Sequence, residues 1–223
     1  MGSKKALLFG ATGLIGRELL SILLESEQYE HVIAMVRSPL PLSHPKLTQH
    51  TVDFAKLEDH AAAFAVEDVF CCLGTTIRKA GSQEAFAKVD VDYPLAIARL
   101  AKQAGARHLA VVSSIGANID SRTFYLRMKG RMEEGIRRLG PPSVHAFRPS
   151  LLLGKREEVR FGEQFASVLS RMFAFLMGGP LRKYKPIAGR TVALAMHNAA
   201  GRPVQQGFTA FESDKIADMA MPV

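Results

Sequence analysis

Gly10-Ala-Thr-Gly13-Leu-Ile-Gly16 stands directly between an apolar run over 6–9 and an amphipathic run over 14–25, and no other stretch narrows the fold so far. A strand that turns on glycines into a helix is half of a βαβ unit, and such a unit commits its chain to a parallel sheet. The rest of the sequence keeps that rhythm. Further strands are expected over 31–36, 47–52, 66–73, 107–112 and 144–147, with helices over 83–103 and 122–139 between them. Regular alternation of this kind predicts an α/β fold, a doubly wound parallel sheet with helices on both faces. After Ser150 the pattern changes to apolar helices over 161–177 and 191–199 and a short strand over 207–210, read as a C-terminal extension on the substrate side. At 223 residues the chain suits one domain, with 1–150 as a ligand-binding core and 151–223 as the extension.

The glycines have separate duties. Gly10 permits the tight turn, Gly13 lets backbone approach a ligand without a Cβ, and Gly16 lets the helix pack closely on the strand. Thr12, Leu14 and Ile15 complete a loop whose free N–H groups, at the positive end of the helix dipole, favour the pyrophosphate of a dinucleotide. At the end of the second strand stands Val36-Arg37-Ser38, where an NAD-preferring chain usually carries Asp or Glu. A guanidinium there pairs with a 2′-phosphate, so NADP(H) is expected over NAD(H). Because ligands gather at the carboxyl ends of strands, Asp53 and Phe54 are expected at the adenine. Leu73, Gly74 and Thr75 are expected at the adenosine ribose.

Tyr125-Leu-Arg-Met-Lys129 is the one place where a lysine follows a tyrosine by four residues, which puts both side chains on one helix face. A neighbouring ammonium stabilises phenolate and moves the tyrosine toward proton exchange near neutral pH. Ser114, eleven residues earlier at a strand end, would orient a carbonyl oxygen, with Ser113 as the alternative in register. The set Ser114, Tyr125 and Lys129 therefore points to hydride transfer to or from a small carbonyl or alcohol, Tyr125 acting as general acid or base.

These residues resemble the atypical short-chain dehydrogenase/reductase superfamily of Rossmann proteins. The likeness rests on the glycine loop, Val111-Val-Ser-Ser114, Tyr125-x-x-x-Lys129 and Arg148-Pro149-Ser150. Phe70-Cys-Cys-Leu-Gly-Thr-Thr76, Val89-Asp-Val-Asp-Tyr93 and Phe124-Tyr-Leu-Arg-Met-Lys-Gly130 look like its Tat-interacting-protein branch. The resemblance implies NADPH held by Gly10, Thr12, Gly13, Leu14, Ile15, Gly16, Arg37, Asp53, Thr75, Tyr125 and Lys129, with Ser113 and Pro149 nearby and Tyr125 as proton donor. It also implies a homodimer as one possible assembly, and, because turnover in this branch is often unsettled, an NADPH-binding regulatory module as the alternative to an enzyme.

The formal charge of +8 invites a nucleic-acid reading, but the basic residues are scattered, so neither nucleic acid nor membrane is expected as a partner. Arg148, Lys155, Arg156 and Arg182 would suit an acidic substrate. Met-Gly-Ser-Lys-Lys leads straight into the first strand, leaving no room for a signal peptide, and a cytoplasmic location is expected. The seven histidines show no ligand spacing and no metal is expected; adjacent Cys71 and Cys72 read as reduced core thiols.

Overall fold

The computed structural model describes residues 3–153 and 179–221. Seven strands form one parallel sheet: β1 (Lys4–Phe9), β2 (Tyr29–Val36), β3 (Leu47–Thr51), β4 (Asp68–Cys71), β5 (His108–Val112), β6 (Ser143–Arg148) and, last in the chain, β9 (Gly207–Glu212). Their order is β3-β2-β1-β4-β5-β6-β9, so the winding reverses between β1 and β4. A crevice opens at that reversal because the connections leaving the two strands run to opposite sides. A separate two-stranded pair joins β7 (Leu152–Leu153) and β8 (Ile187–Ala188).

Alternation along β1 shows how the two faces are filled. Ala6 and Leu8 enter one apolar cluster, with Leu19 and Leu23 of α1 (Leu14–Glu25). Leu7 and Phe9 enter the other, with Ile97 and Met132. The first face is completed by Val192 and Met196 of the helix Gly189–Gly201 and by Ile216 of the helix Ser213–Met219. The second is covered by the short helices α2 (Ile77–Ala80) and α3 (Gln83–Ala87), by α4 (Tyr93–Gln103), and by α5 (Phe124–Leu139). Leu19 and Leu23 expose no surface, and cutting either to alanine would cost about 2–5 kcal/mol.

The expected elements appear with small changes of boundary. The helical stretch expected over 83–103 is interrupted by a π-helical turn at Lys88–Asp92. A 3-10 segment, Phe54–Phe64, and the helix Ser213–Met219 went unread, since neither shows a full period of apolar spacing. The strand expected over 207–210 runs to Glu212 and pairs in parallel with β6. The helix expected over 161–177 lies outside the described residues. Both cysteines are free; Cys71 packs into one face and Cys72 against the other, and burial raises both thiols, Cys71 to about 11.

A polar cluster is sealed at the amino ends of the strands. Tyr29 donates its hydroxyl to Asp68 Oδ2 at 2.7 Å, and Lys4 Nζ lies 3.2 Å from the same oxygen. His108 Nε2 and His145 Nδ1 share a hydrogen bond of 2.9 Å. Burial holds the Asp68 carboxyl above its ordinary range and pushes His108 down to about 3.

Candidate functional site

At the other end of the sheet, beyond the carboxyl ends of β1, β2 and β4, lies a cavity of about 770 Å³. Its floor is the glycine turn. Gly10 has φ +83°, and a Cβ there would lie 2.6 Å from the carbonyl oxygen of Cys72; at Gly16 a Cβ would lie 2.1 Å from the carbonyl oxygen of Gly10. Neither position admits a side chain, so β1, β4 and the first turn of α1 close together and leave room above. Gly13 N–H donates to Gly10 O at 3.0 Å, and α1 begins with no side chain capping it. Gly13, Leu14 and Arg17 line the cavity, so the start of α1, the positive end of its dipole, borders it.

Of the residues expected to bind cofactor, the wall takes in Gly10, Thr12, Gly13, Leu14, Arg37, Phe54, Leu73, Gly74 and Thr75. Ile15 and Gly16 are buried beneath it, one in the core and the other against the turn. Asp53 lies off the wall. Its carboxylate accepts the Ala55 N–H at 2.9 Å and starts the 3-10 segment, leaving Phe54 to present an apolar surface beside Tyr93, ring centroids 5.4 Å apart. The wall also includes Arg17 and Lys79, two exposed cations that the sequence reading passed over. Arg17 directly follows Gly16 and was legible there; Lys79 and Tyr93 come from distant segments and were not.

The Ser, Tyr, Lys residues lie outside this cavity wall, at the ends of β5 and on α5. Tyr125 is half-buried, its ring 6.0 Å from that of Phe86. Lys129 is 2% exposed; its Nζ lies 2.8 Å from Asp90 Oδ1 and donates to Val112 O at 3.2 Å. Ser113 and Ser114 are both buried, and their hydroxyls differ. Ser113 Oγ donates to Glu133 Oε1 at 2.5 Å, whereas among the described residues Ser114 Oγ makes a long bond of 3.4 Å to Ile115 O. Pro149 is buried and accepts the Ile115 N–H at 3.0 Å, fixing the chain after the serines.

Two expected anion contacts change. Arg148, proposed from sequence to meet an acidic substrate, gives Nε to Glu133 Oε1 at 2.9 Å and Nη2 to Glu133 Oε2. That bidentate pair raises its pKa and occupies the guanidinium. Arg182 lies 3.4 Å from Asp218 at the surface, and Lys155 and Arg156 fall outside the described residues. Among the described residues no group of three His, Cys, Asp or Glu is placed to hold a metal, and no helix is long and apolar enough to cross a membrane.

Residues 10–140, which contain the glycine turn, the cavity and the Tyr125–Lys129 helix, match the model of a family described as NAD(P)H-binding. The chain belongs to that family. It is 40% identical to the HTATIP2 protein of Rattus norvegicus over 170 residues, 74% of this chain and 70% of that one. It is 33% identical to the FMP52 protein of Debaryomyces hansenii over 206 residues, 91% of this chain and 90% of the other. Among solved structures it is similar in fold to the Bordetella bronchiseptica enzyme WbmH in complex with NAD+. The TM-score is 0.69 at 14% identity, over 98% of this chain and 80% of that one. These relatives correct one expectation. The FMP52 proteins of Debaryomyces hansenii, Eremothecium gossypii and Emericella nidulans are named mitochondrial, so the cytoplasmic location read from the first residues does not stand. A compartment address is read by transport machinery and leaves no trace in the folded core.

Proposed function

We propose that this NAD(P)H-binding protein is an NADP(H)-dependent oxidoreductase acting on a small carbonyl or alcohol. One observation carries the reading: the cavity joins an uncapped helix start above a glycine turn to two arginines at its rim, Arg17 and Arg37. Backbone N–H groups of Leu14 and Ile15 at the start of α1 would hold the pyrophosphate, and Phe54 with Tyr93 would flank the adenine. Arg37 and Arg17 would pair with the 2′-phosphate, which a carboxylate at the end of β2 would repel.

The bound nicotinamide supplies the hydride. Tyr125 holds the proton that the substrate oxygen receives in reduction, and takes it back in oxidation. Ser114 donates a hydrogen bond to that oxygen; the short bond of Ser113 to Glu133, against the long one of Ser114 to Ile115 O, supports Ser114 as the more readily redirected hydroxyl of the pair. Lys129 lies one helical turn from Tyr125, where Asp90 and the Val112 carbonyl hold its ammonium.

Titration with NADPH and then NADH tests the first half of this reading, and the Tyr125→Phe variant tests the second. NADPH binding tighter than NADH, with turnover lost and binding kept in Tyr125→Phe, is the expected result. Equal turnover in the variant removes Tyr125 from the chemistry. Lost binding of both nucleotides in the native protein overturns the cofactor reading itself.

A further inference from the structure

The proposed chemistry makes no use of Asp90, yet this residue sits where the cofactor cavity meets the Tyr125–Lys129 helix. Asp90 is 1% exposed and lies in the π-helical turn Lys88–Asp92. One carboxylate oxygen, Oδ2, accepts the backbone N–H of Thr75 at 2.8 Å, and Thr75 belongs to the cavity wall. The other, Oδ1, lies 2.8 Å from Lys129 Nζ, a close ion pair whose alignment falls short of a hydrogen bond. Lys129 in turn donates to Val112 O, the residue before Ser113 and Ser114. A single carboxylate thus ties the loop after β4 to α5 and to the end of β5.

We propose that Asp90 is a positioning residue that couples occupancy of the cavity to the placement of Lys129. The inference rests on the cofactor reading above. Its chemistry is specific to a carboxylate: both partners are donors, so two acceptor oxygens are required. An asparagine in the same place presents one oxygen and an NH₂, and must lose either Thr75 or Lys129. A mobile Thr75 loop would no longer match the cofactor, and Lys129 would no longer follow it.

The test compares Asp90→Asn, Asp90→Glu, Lys129→Met and the double variant Asp90→Asn/Lys129→Met. NADPH affinity is measured by nicotinamide fluorescence, and the exchange of the Thr75 loop by hydrogen–deuterium mass spectrometry without nucleotide. Asp90→Asn is expected to weaken NADPH binding about tenfold or more, with Asp90→Glu recovering much of the loss. The double variant, which leaves no unpaired charge inside and remains foldable if the single variants do not, is expected to lose less than the product of the two single losses. Lys129→Met is expected to speed exchange of the Thr75 loop, 54 residues away along the chain. Unchanged affinity in folded Asp90→Asn, or losses that multiply independently, would reduce Asp90 to a structural role and overturn the proposal. Failure of the native protein to bind NADPH would sink the cofactor reading alone. The exchange arm then decides the coupling, faster exchange in Lys129→Met sustaining it and unchanged exchange removing it.

Discussion

Acid should unfold this protein through His108 before its surface carboxylates titrate. The imidazole is 4% exposed, packs at 4.7 Å between centroids against His145, and is pushed by burial from 6.5 to about 3. Its folded pKa lies below its unfolded one, so the unfolded chain takes up the proton first. The stabilisation is complete above pH 6.5 and drains away as pH falls toward 3. Each pH unit in that window costs about 1.4 kcal/mol, which makes the loss about 2 kcal/mol at pH 5, a large share of a typical stability of about 5–15 kcal/mol. His145 is also lowered by burial and adds to the effect, while Asp68, raised by burial, acts in the opposite direction. Urea unfolding of the native protein and of His108→Gln, at about pH 7.5 and about pH 5, isolates the His108 share. The native protein should lose about 2 kcal/mol more than the variant between the two conditions. Equal losses would refute a buried, neutral His108.

Gly16→Ala should abolish nucleotide binding and destabilise the fold by at least about 1–3 kcal/mol, because its Cβ would meet the backbone carbonyl of Gly10 at 2.1 Å. Thermal unfolding and NADPH titration of this variant check both effects, and a native-like melting temperature would show that the turn can open. Arg37→Asp should invert the cofactor preference, weakening NADPH about tenfold to a hundredfold while sparing NADH. Fluorescence titration with each nucleotide reads this directly, and parallel losses for both would place Arg37 away from the 2′-phosphate.

The succession of strands and helices along the chain, the glycine turn and the parallel sheet were legible from the sequence, because each rests on local signals. A strand shows as an apolar run, a helix as a period of 3.6, and a turn without Cβ atoms as glycine. Arg37 was legible in the same way, since the end of β2 fixes its place on the cavity rim. What the sequence alone left open were pairings between segments far apart along the chain. Glu133 takes Ser113 and Arg148, and thereby distinguishes Ser113 from Ser114 and engages the Arg148 guanidinium. Asp90 takes Thr75 and Lys129; Phe54 meets Tyr93; β9 returns to lie beside β6. Those choices carry no local periodicity. The pairings of Glu133 and Asp90 are decided by which donors meet each carboxylate once the sheet has closed, because a carboxylate excluded from water must be met by donors wherever the chain brings them.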